Sequence, residues 1–392
     1  MCGIAGIVDF GQGIDIETNI SILNNALANR GKDDEGTFFD RSEQGFALGL
    51  GHRRLSIIDL SAAGHQPFVF GNKVLVFNGE IYNYIEIKAQ LTQLGYQFST
   101  QTDTEVLATA YTHWGEACVE HLNGMWAFAI FDPQTSTLFC SRDRTGIKPF
   151  YYYFKDRVFV FASEIKAFLK LDFLDKTINQ MAVFDYLAHG NLETQSGTFF
   201  QHIHELKPSH QFSFNLKTQQ IDLKRYYDVW KSINQKPLLK PKKDINSISE
   251  LVFEAVEQSV RLRLRSDVPI GASLSGGLDS SAVVALASGL LNAKNGLGNK
   301  KMDVFTAVSS DKTIDESRFA QLVVDRYGLQ WHKILPKASD LPLLLPQIVY
   351  ANDYPTLTTS TFAQFLVAKK VKEQSITIVL DGQGGDELFS GY

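Results

Sequence analysis

Leu274-Ser275-Gly276-Gly277-Leu278-Asp279-Ser280-Ser281 stands where a short apolar run gives way to a helical one, and its reading decides the fold of the C-terminal half. Glycines let backbone N–H groups come close to phosphate oxygens, and the start of the following helix adds partial positive charge. Three serine hydroxyls add donors, and the Asp279 carboxylate can hold a magnesium ion. No Gly-Lys-Ser/Thr follows at the offset that a Walker loop requires. A glycine–serine turn taken alone is also compatible with a mere N-capped turn. Its place after the apolar run Pro269 to Leu274 favours a phosphate site.

Working outward, the pattern predicts a strand over 268–274, a helix over 279–290 and a strand over 302–308. A helix over 315–327, a strand over 331–335, helices within 338–372 and a strand over 376–380 follow. Strand and helix alternating at this spacing argue a parallel α/β sheet. Upstream, Ile248, Leu251, Val252, Ala255, Val256 and Val260 mark one face of a helix. Asn292 to Lys301 reads as an exposed loop, and residues 231–247, polar, basic and proline-bearing, read as a linker that resists helix and strand. The first 165 residues alternate short strands (73–78, 125–132, 137–142, 157–162) with helices (15–29, 83–94, 103–114). Two packed sheets flanked by helices accommodate that order.

The 392 residues carry 38 basic and 43 acidic side chains, a net charge of −5, without the basic excess of nucleic-acid binders. No apolar run approaches the roughly 20 residues that span a bilayer, and the N-terminus has no signal-peptide pattern. Cys2, Cys118 and Cys140 match neither a disulfide framework nor a zinc spacing. A cytoplasmic protein without nucleic-acid or membrane partners is expected. The chain stops just after a glycine-rich turn, which reads as truncation.

Cys2 becomes the first residue if Met1 is removed. A terminal cysteine joins a thiol nucleophile to a free α-amine, whose ordinary pKa of about 8 lets it accept the thiol proton. The alternative is a buried apolar cysteine at the start of a strand. Downstream, Arg54-Leu55-Ser56-Ile57-Ile58-Asp59 places a guanidinium at an apolar strand, and Asn78-Gly79-Glu80-Ile81-Tyr82-Asn83 places an amide and a glycine N–H at a turn. Thr102-Asp103-Thr104-Glu105 places a carboxylate at a helix start. Each has a structural reading as strand-edge charge, turn or N-cap. Together they can hold an α-amino acid, Arg54 pairing its carboxylate and Asp103 its ammonium, with Asn78 and Gly79 donating to an oxyanion.

Cys2-Gly3-Ile4, Arg30-Gly31, the Arg54 and Asn78 segments and Asp103 resemble, in order, the class II (N-terminal nucleophile) glutamine amidotransferases. The resemblance implies an αββα sandwich (the Ntn-hydrolase fold) in which Cys2 attacks a glutamine amide. It places Asn78 and Gly79 in the oxyanion hole, and Arg54, Leu55, Ser56, Ile57, Ile58, Asn78, Gly79, Glu80 and Asp103 around glutamine. Asn29-Arg30-Gly31-Lys32-Asp33 departs from the family's His-Arg-Gly-Pro-Asp, which predicts a local loop difference and not loss of activity.

The Leu274–Ser281 segment is similar to the pyrophosphatase loop of enzymes that cleave ATP to AMP and pyrophosphate. Asp381-Gly382-Gln383-Gly384-Gly385-Asp386-Glu387 looks like that fold's second nucleotide loop. The resemblance implies ATP bound by Leu274, Ser275, Gly276, Gly277, Asp279, Ser280, Ser281, Ala307, Asp381 and Gly382, and Mg2+ held by Asp279 and Asp386. Asp315-Glu316-Ser317 and Thr356 to Ser360 match segments near the acceptor site, although a helix cap and a hydroxyl-rich loop explain them equally well. The two halves in this order, with Ser141 to Pro149 and Phe161 to Lys166 between them, resemble the glutamine-hydrolysing asparagine synthetases. The expected organisation is then a glutaminase domain over 2–210, a connecting segment over 211–247 and an ATP pyrophosphatase domain over 248–392, incomplete at its C-terminus.

The implied reaction adenylates aspartate to β-aspartyl-AMP, and ammonia from glutamine, carried along an apolar passage, displaces AMP to give asparagine. Glutamine, aspartate and ATP are the implied partners, and a homodimer is left open. Gln383 stands where many relatives carry a glutamate, and an amide cannot take a proton at neutral pH. A relative acting on another carboxylate, of a sugar or a peptide, is therefore the rival reading. A fragment with glutaminase activity alone is another, and a truncated chain predicts a weak ATP step.

Overall fold

The computed structural model describes residues 1–41, 45–192, 197–235, 244–294, 301–356, 358–389 and 391. The chain divides into two compact units, Met1–Leu238 and Leu239–Tyr392.

Among the described residues twelve strands build the sheets of the first unit: β1 (Gly3–Asp9), β2 (Asp34–Asp40), β3 (Ala47–Arg54), β4 (Phe68–Phe70), β5 (Lys73–Ile81), β6 (Gly124–Asp132), β7 (Thr137–Arg142), β8 (Tyr151–Lys155), β9 (Val158–Ala162), β10 (Ile203–Glu205), β11 (His210–Asn215) and β12 (Gln220–Arg225). They form two antiparallel sheets, ordered β10-β8-β9-β1-β3-β2 and β12-β11-β7-β6-β5-β4. The two-residue period of a strand sorts their side chains. Val74, Val76, Ala127, Ala129, Phe131, Leu138 and Cys140 face the other sheet, where Ile4, Val8, Phe10, Leu48 and Leu50 meet them. The intervening Leu75, Phe77, Trp126, Phe128, Ile130 and Phe139 face helices Tyr84–Gln93 and Asp103–Trp114 through Ile87, Leu91, Val106 and Leu107. A double-sided apolar strand is thus explained by two cores, one between the sheets and one under the helices. On the first sheet's outer side, helix Ile16–Ala26 sits against β3 because β3 offers glycine there. A Cβ on Gly49 would lie 2.4 Å from Ile16, and one on Gly51 2.4 Å from Asn24. The αββα layering follows.

Two expectations about connections need correction. Residues 211–225 are no connecting segment, because β11 pairs with β7 and β12 with β11, continuing the second sheet. The segment 231–247 does not resist helix throughout: Val229–Gln235 and a helix from Ile245 enter it, while 236–243 lie outside the described residues. Capping overrides composition at both places. Asp228 accepts from the Trp230 and Lys231 N–H groups, and Asp244 from Ser247 N–H.

In the second unit, β13 (Ile270–Ser273), β14 (Asp303–Ala307), β15 (Gln330–Ile334) and β16 (Ile378–Leu380) form a parallel sheet ordered β15-β14-β13-β16. Helices Ile245–Arg263, Leu278–Lys294, Ser317–Tyr327, Leu341–Asn352 and Ser360–Glu373 connect and flank it. Val260, Ala272, Leu274, Val284, Ala287, Val304, Ala320 and Leu380 make its core. The apolar stripe of the first of these helices is covered only toward its C-terminal end: Val260 is buried, whereas Ile248 and Val252 are exposed. The loop expected over Asn292 to Lys301 begins late, helix continuing to Lys294, and 295–300 lie outside the described residues. No described helix is long and apolar enough to cross a membrane.

Candidate active sites

In the first unit Cys2, Arg54, Leu55, Ile57, Ile58, Gly79 and Asp103 line one cleft, together with Gly64, Gln66, Phe77, Thr102 and Thr104. Cys2 stands just ahead of β1, whose Gly3 pairs with Arg53 of β3. Its Sγ lies 3.3 Å from the Leu55 N–H. Arg30 donates from Nε to the Cys2 carbonyl at 2.8 Å and from Nη1 to Glu164 at 2.9 Å. Gly31 lets the backbone here press against β3, since a Cβ there would come within 2.4 Å of the Arg53 backbone. Asp33, beyond the unusual Lys32, accepts from Ser56 N–H at 2.7 Å, and its own N–H donates to the Arg54 carbonyl. The departure at Lys32 therefore leaves both flanking contacts in place.

Burial raises the Cys2 thiol pKa, opposed by the Leu55 N–H and the nearby terminal amine. Burial also holds the Met1 amine down to about 5, chiefly by penalising its charged form. The resting thiol is protonated at neutral pH and needs a base to become a nucleophile.

Arg54 is planted by its loop. Nη1 donates to the Ser61 carbonyl at 2.7 Å and Nη2 to that of Asp59, and each nitrogen retains a second N–H. A Cβ on Gly64 would strike this guanidinium. Asp103, first residue of its helix, is buried, and its Oδ2 accepts the Ile81 N–H at 2.9 Å. Burial, with the nearby Glu80 carboxylate adding to it against the pull of the Ile81 N–H, raises its pKa to about 7.

Strand parity explains how β5 serves the cleft. Its short neighbour β4 pairs only with Lys73 to Leu75. Beyond it the outward N–H groups alternate along β5: that of Phe77 donates to Gln66 Oε1 at 2.7 Å, that of Ile81 to Asp103. Gly79 stands midway between them, so its N–H faces the same edge and the cleft. A Cβ on Gly79 would lie 2.2 Å from the Met125 carbonyl, so glycine is required. Asn78, paired with Ala127 of β6, is fully buried, and neither amide atom of its side chain has a partner among the described residues.

Ser56, Asn78 and Glu80 are not among the cleft's lining residues. Glu80 is buried, and its carboxyl is raised by burial against the pull of Lys148. Gly64, Gln66 and Phe77 escape sequence reasoning as site residues, since main-chain contacts and packing leave no periodic or charged signal, and Thr102 and Thr104 entered it only as the flanks of Asp103.

In the second unit the sheet order reverses between β13 and β16, the switch point beside which ligands of open α/β sheets bind. Both glycine loops emerge there. Gly276 has φ +101°, and a Cβ on it would lie 2.6 Å from the Glu316 carbonyl. The Ser275 and Ser280 hydroxyls are 2.9 Å apart, and Gly277 N–H donates to Ser275 Oγ at 3.1 Å. Leu274 is held to β14 by its N–H on the Phe305 carbonyl and by its carbonyl under Thr306 Oγ1, beside Ala307. The Asp381–Glu387 loop packs directly on the first. A Cβ on Gly382 would meet Ser280 N at 2.7 Å, and one on Gly385 would strike the Asp279 carboxylate. Asp279, in the first turn of helix Leu278–Lys294, and Asp386, in the short helix Gly385–Phe389, are therefore brought close, Asp386 one residue from the backbone that Asp279 abuts. Two carboxylates suit Mg2+, which takes few protein oxygens and completes its shell with phosphates and water. Among the described residues no group of three or more His, Cys, Asp or Glu converges on a metal position. Asp315 accepts from Ser309 N–H and Ser317 Oγ and so ties its own loop. Leu357, within the Thr356 to Ser360 stretch, lies outside the described residues.

Residues 1–227 match the family model of the glutamine amidotransferase domain, and residues 251–392 that of asparagine synthase. A Methanocaldococcus jannaschii protein that carries a glutamine-hydrolysing asparagine synthetase name is 37% identical over the whole chain, which covers 76% of its length. Asparagine synthetase (glutamine-hydrolyzing) 3 of Bacillus subtilis is 30% identical over the whole chain, covering 63% of its own. Amidase chry2 of Gibberella zeae is 31% identical over 96% of the chain and 55% of its own. With both domain families matched in this order, the chain belongs to the glutamine-hydrolysing asparagine synthetases.

Proposed function

We propose that the first unit hydrolyses glutamine and that the second activates a carboxylate with ATP for amidation by the ammonia released. Once Met1 is removed, the α-amine of Cys2 takes the thiol proton and Sγ attacks the glutamine side-chain amide carbon. Asn78 Nδ2–H and Gly79 N–H receive the oxyanion. On its collapse the proton passes to the leaving nitrogen, ammonia departs, and water cleaves the thioester to glutamate. Arg54 and Asp103 bind the α-carboxylate and α-ammonium of glutamine, with Leu55, Ile57 and Ile58 beside them. The observation that carries this reading is the one cleft lined by Cys2, Arg54, Gly79 and Asp103, with the Asn78 amide buried beside Gly79 and unpartnered among the described residues. A buried amide left unpaired costs about 1–3 kcal/mol, a penalty that a transient oxyanion would relieve.

In the second unit the aspartate β-carboxylate attacks the α-phosphorus of ATP, pyrophosphate leaves, and ammonia displaces AMP from the β-aspartyl-AMP to give asparagine. Leu274–Gly277 and Asp279–Ser281 hold the phosphates, and Ala307, Asp381 and Gly382 border the adenosine. Mg2+ held by Asp279 and Asp386 would neutralise charge on the departing pyrophosphate. The reaction is assigned to the cytoplasm, on small-molecule substrates, with a homodimer as the assembly to look for.

The rival acceptor rests on a specific observation. Gln383, whose N–H is 3.3 Å from Asp381 Oδ1, supplies an amide where a base would serve, and amidases are among the relatives. Mass-resolved product analysis with glutamine, aspartate, ATP and magnesium separates the two. Asparagine with stoichiometric AMP is expected; AMP formed only with a different carboxylate would transfer the assignment to that acceptor.

A further inference from the structure

The main chain of Phe77 is held at both its N–H and its carbonyl by side chains that play no part in the chemistry above. His52 of β3 is fully buried, and its Nε2 lies 3.1 Å from the Phe77 carbonyl, while Gln66 Oε1 accepts the Phe77 N–H at 2.7 Å. Gln66 is buried as well, and its Nε2 donates to Thr104 Oγ1 at 3.4 Å, on the helix that carries Asp103. At this point β5 has run past the end of β4, so among the described residues no strand remains to satisfy its outer edge. An unsatisfied buried peptide group is costly, and it also leaves its strand free to shift.

We propose that His52 and Gln66 act as a surrogate strand. They are positioning residues that fix the Phe77 peptide and so aim Asn78 and Gly79, the next two residues, at the reacting amide. This rests on the reading of Cys2 as the glutaminase nucleophile. A carbonyl can only accept, so His52 must carry its proton on Nε2. Its Nδ1 is buried without a partner among the described residues, and burial pushes the imidazole pKa down to about 4, so the ring is neutral at pH 7. Oxyanion donors act through preorganisation, and a shift of a few tenths of an ångström in the strand weakens them without touching glutamine's α-groups.

The test exploits reach. The amide nitrogen of glutamine extends about as far as histidine Nε2, whereas that of asparagine stops near the Nδ1 position. Full-length His52→Asn is expected to lose about 10–100-fold in kcat for glutamine hydrolysis, with KM within about twofold. His52→Gln should recover kcat to within about threefold of wild type. Alkylation of Cys2 by iodoacetamide, which builds no oxyanion, should proceed at the wild-type rate in both. Gln66→Met should repeat the kcat loss, and amide exchange over residues 73–81 should accelerate about tenfold in both defective variants. Wild-type kcat in His52→Asn, a loss confined to KM, or unchanged exchange over 73–81 would overturn the proposal. If the wild-type chain releases no Cys2-dependent ammonia, the glutaminase reading falls, and the exchange measurement alone still decides the clamp.

Discussion

Asp103 shows how far a single residue's chemistry reaches from sequence into function. Its place after Thr102 marks it as a helix-start carboxylate, and the structure then buries it under the cleft with a pKa of about 7. Binding an ammonium requires the charged form, so kcat/KM for glutamine should fall as pH drops below about 7, approaching tenfold per pH unit. Asp103→Asn should lower kcat/KM about 10–100-fold, the worth of a hydrogen bond to a charged group, and flatten that limb. Stability moves the opposite way. Between about pH 4 and 7 the folded chain holds a proton on Asp103 that the unfolded chain has lost, so this group's contribution weakens as pH rises. Asp103→Asn should therefore reduce the fall in Tm across that window; an unchanged slope would refute the raised pKa. Such residues were legible because charge in an ordered motif has few other uses. Gln66 was not, because its service is to one main-chain N–H and one threonine, and an amide in a loop announces neither.

At the scale of elements, period-two alternation and glycine placement carried most of the information. β5 and β6 were legible as strands, and helix Asp103–Trp114 falls on the 103–114 reading. What escaped was the reach of β5 beyond β4, since pairing length depends on a partner distant in the chain. The linker reading failed at its edges for a local reason: Asp228 and Asp244 cap helices that the surrounding lysines and prolines disguise. Gly276 offers the sharpest element-scale prediction. With φ +101° and a carbonyl at 2.6 Å from any Cβ, Gly276→Ala should cost about 1–3 kcal/mol in the second unit. Nucleotide-dependent AMP formation should fall more than about tenfold, through loss of the phosphate cradle, while glutamine hydrolysis is retained. Equal loss of both activities, or of neither, would count against that division of labour.

Over the whole molecule, two units with separate cores underlie two chemistries. The sandwich and helix cores lie within residues 1–238, and the parallel-sheet core lies wholly beyond them. A chain of residues 1–238 is expected to unfold in one cooperative transition and to hydrolyse glutamine within about threefold of the full chain. A non-cooperative melt would show that the first core is incomplete by itself. The domain order was legible from the motifs, but the extent of the first unit was not, because β11 and β12 join a sheet begun more than a hundred residues earlier.

The most direct measurement is ammonia release from glutamine by the purified chain and by Cys2→Ala, with the N-terminal mass of each determined on the same sample. The expected result is turnover by material whose first residue is Cys2 and none by Cys2→Ala. Equal release from both, or full activity in material that still carries Met1, would contradict the assignment of Cys2 as an amine-assisted nucleophile.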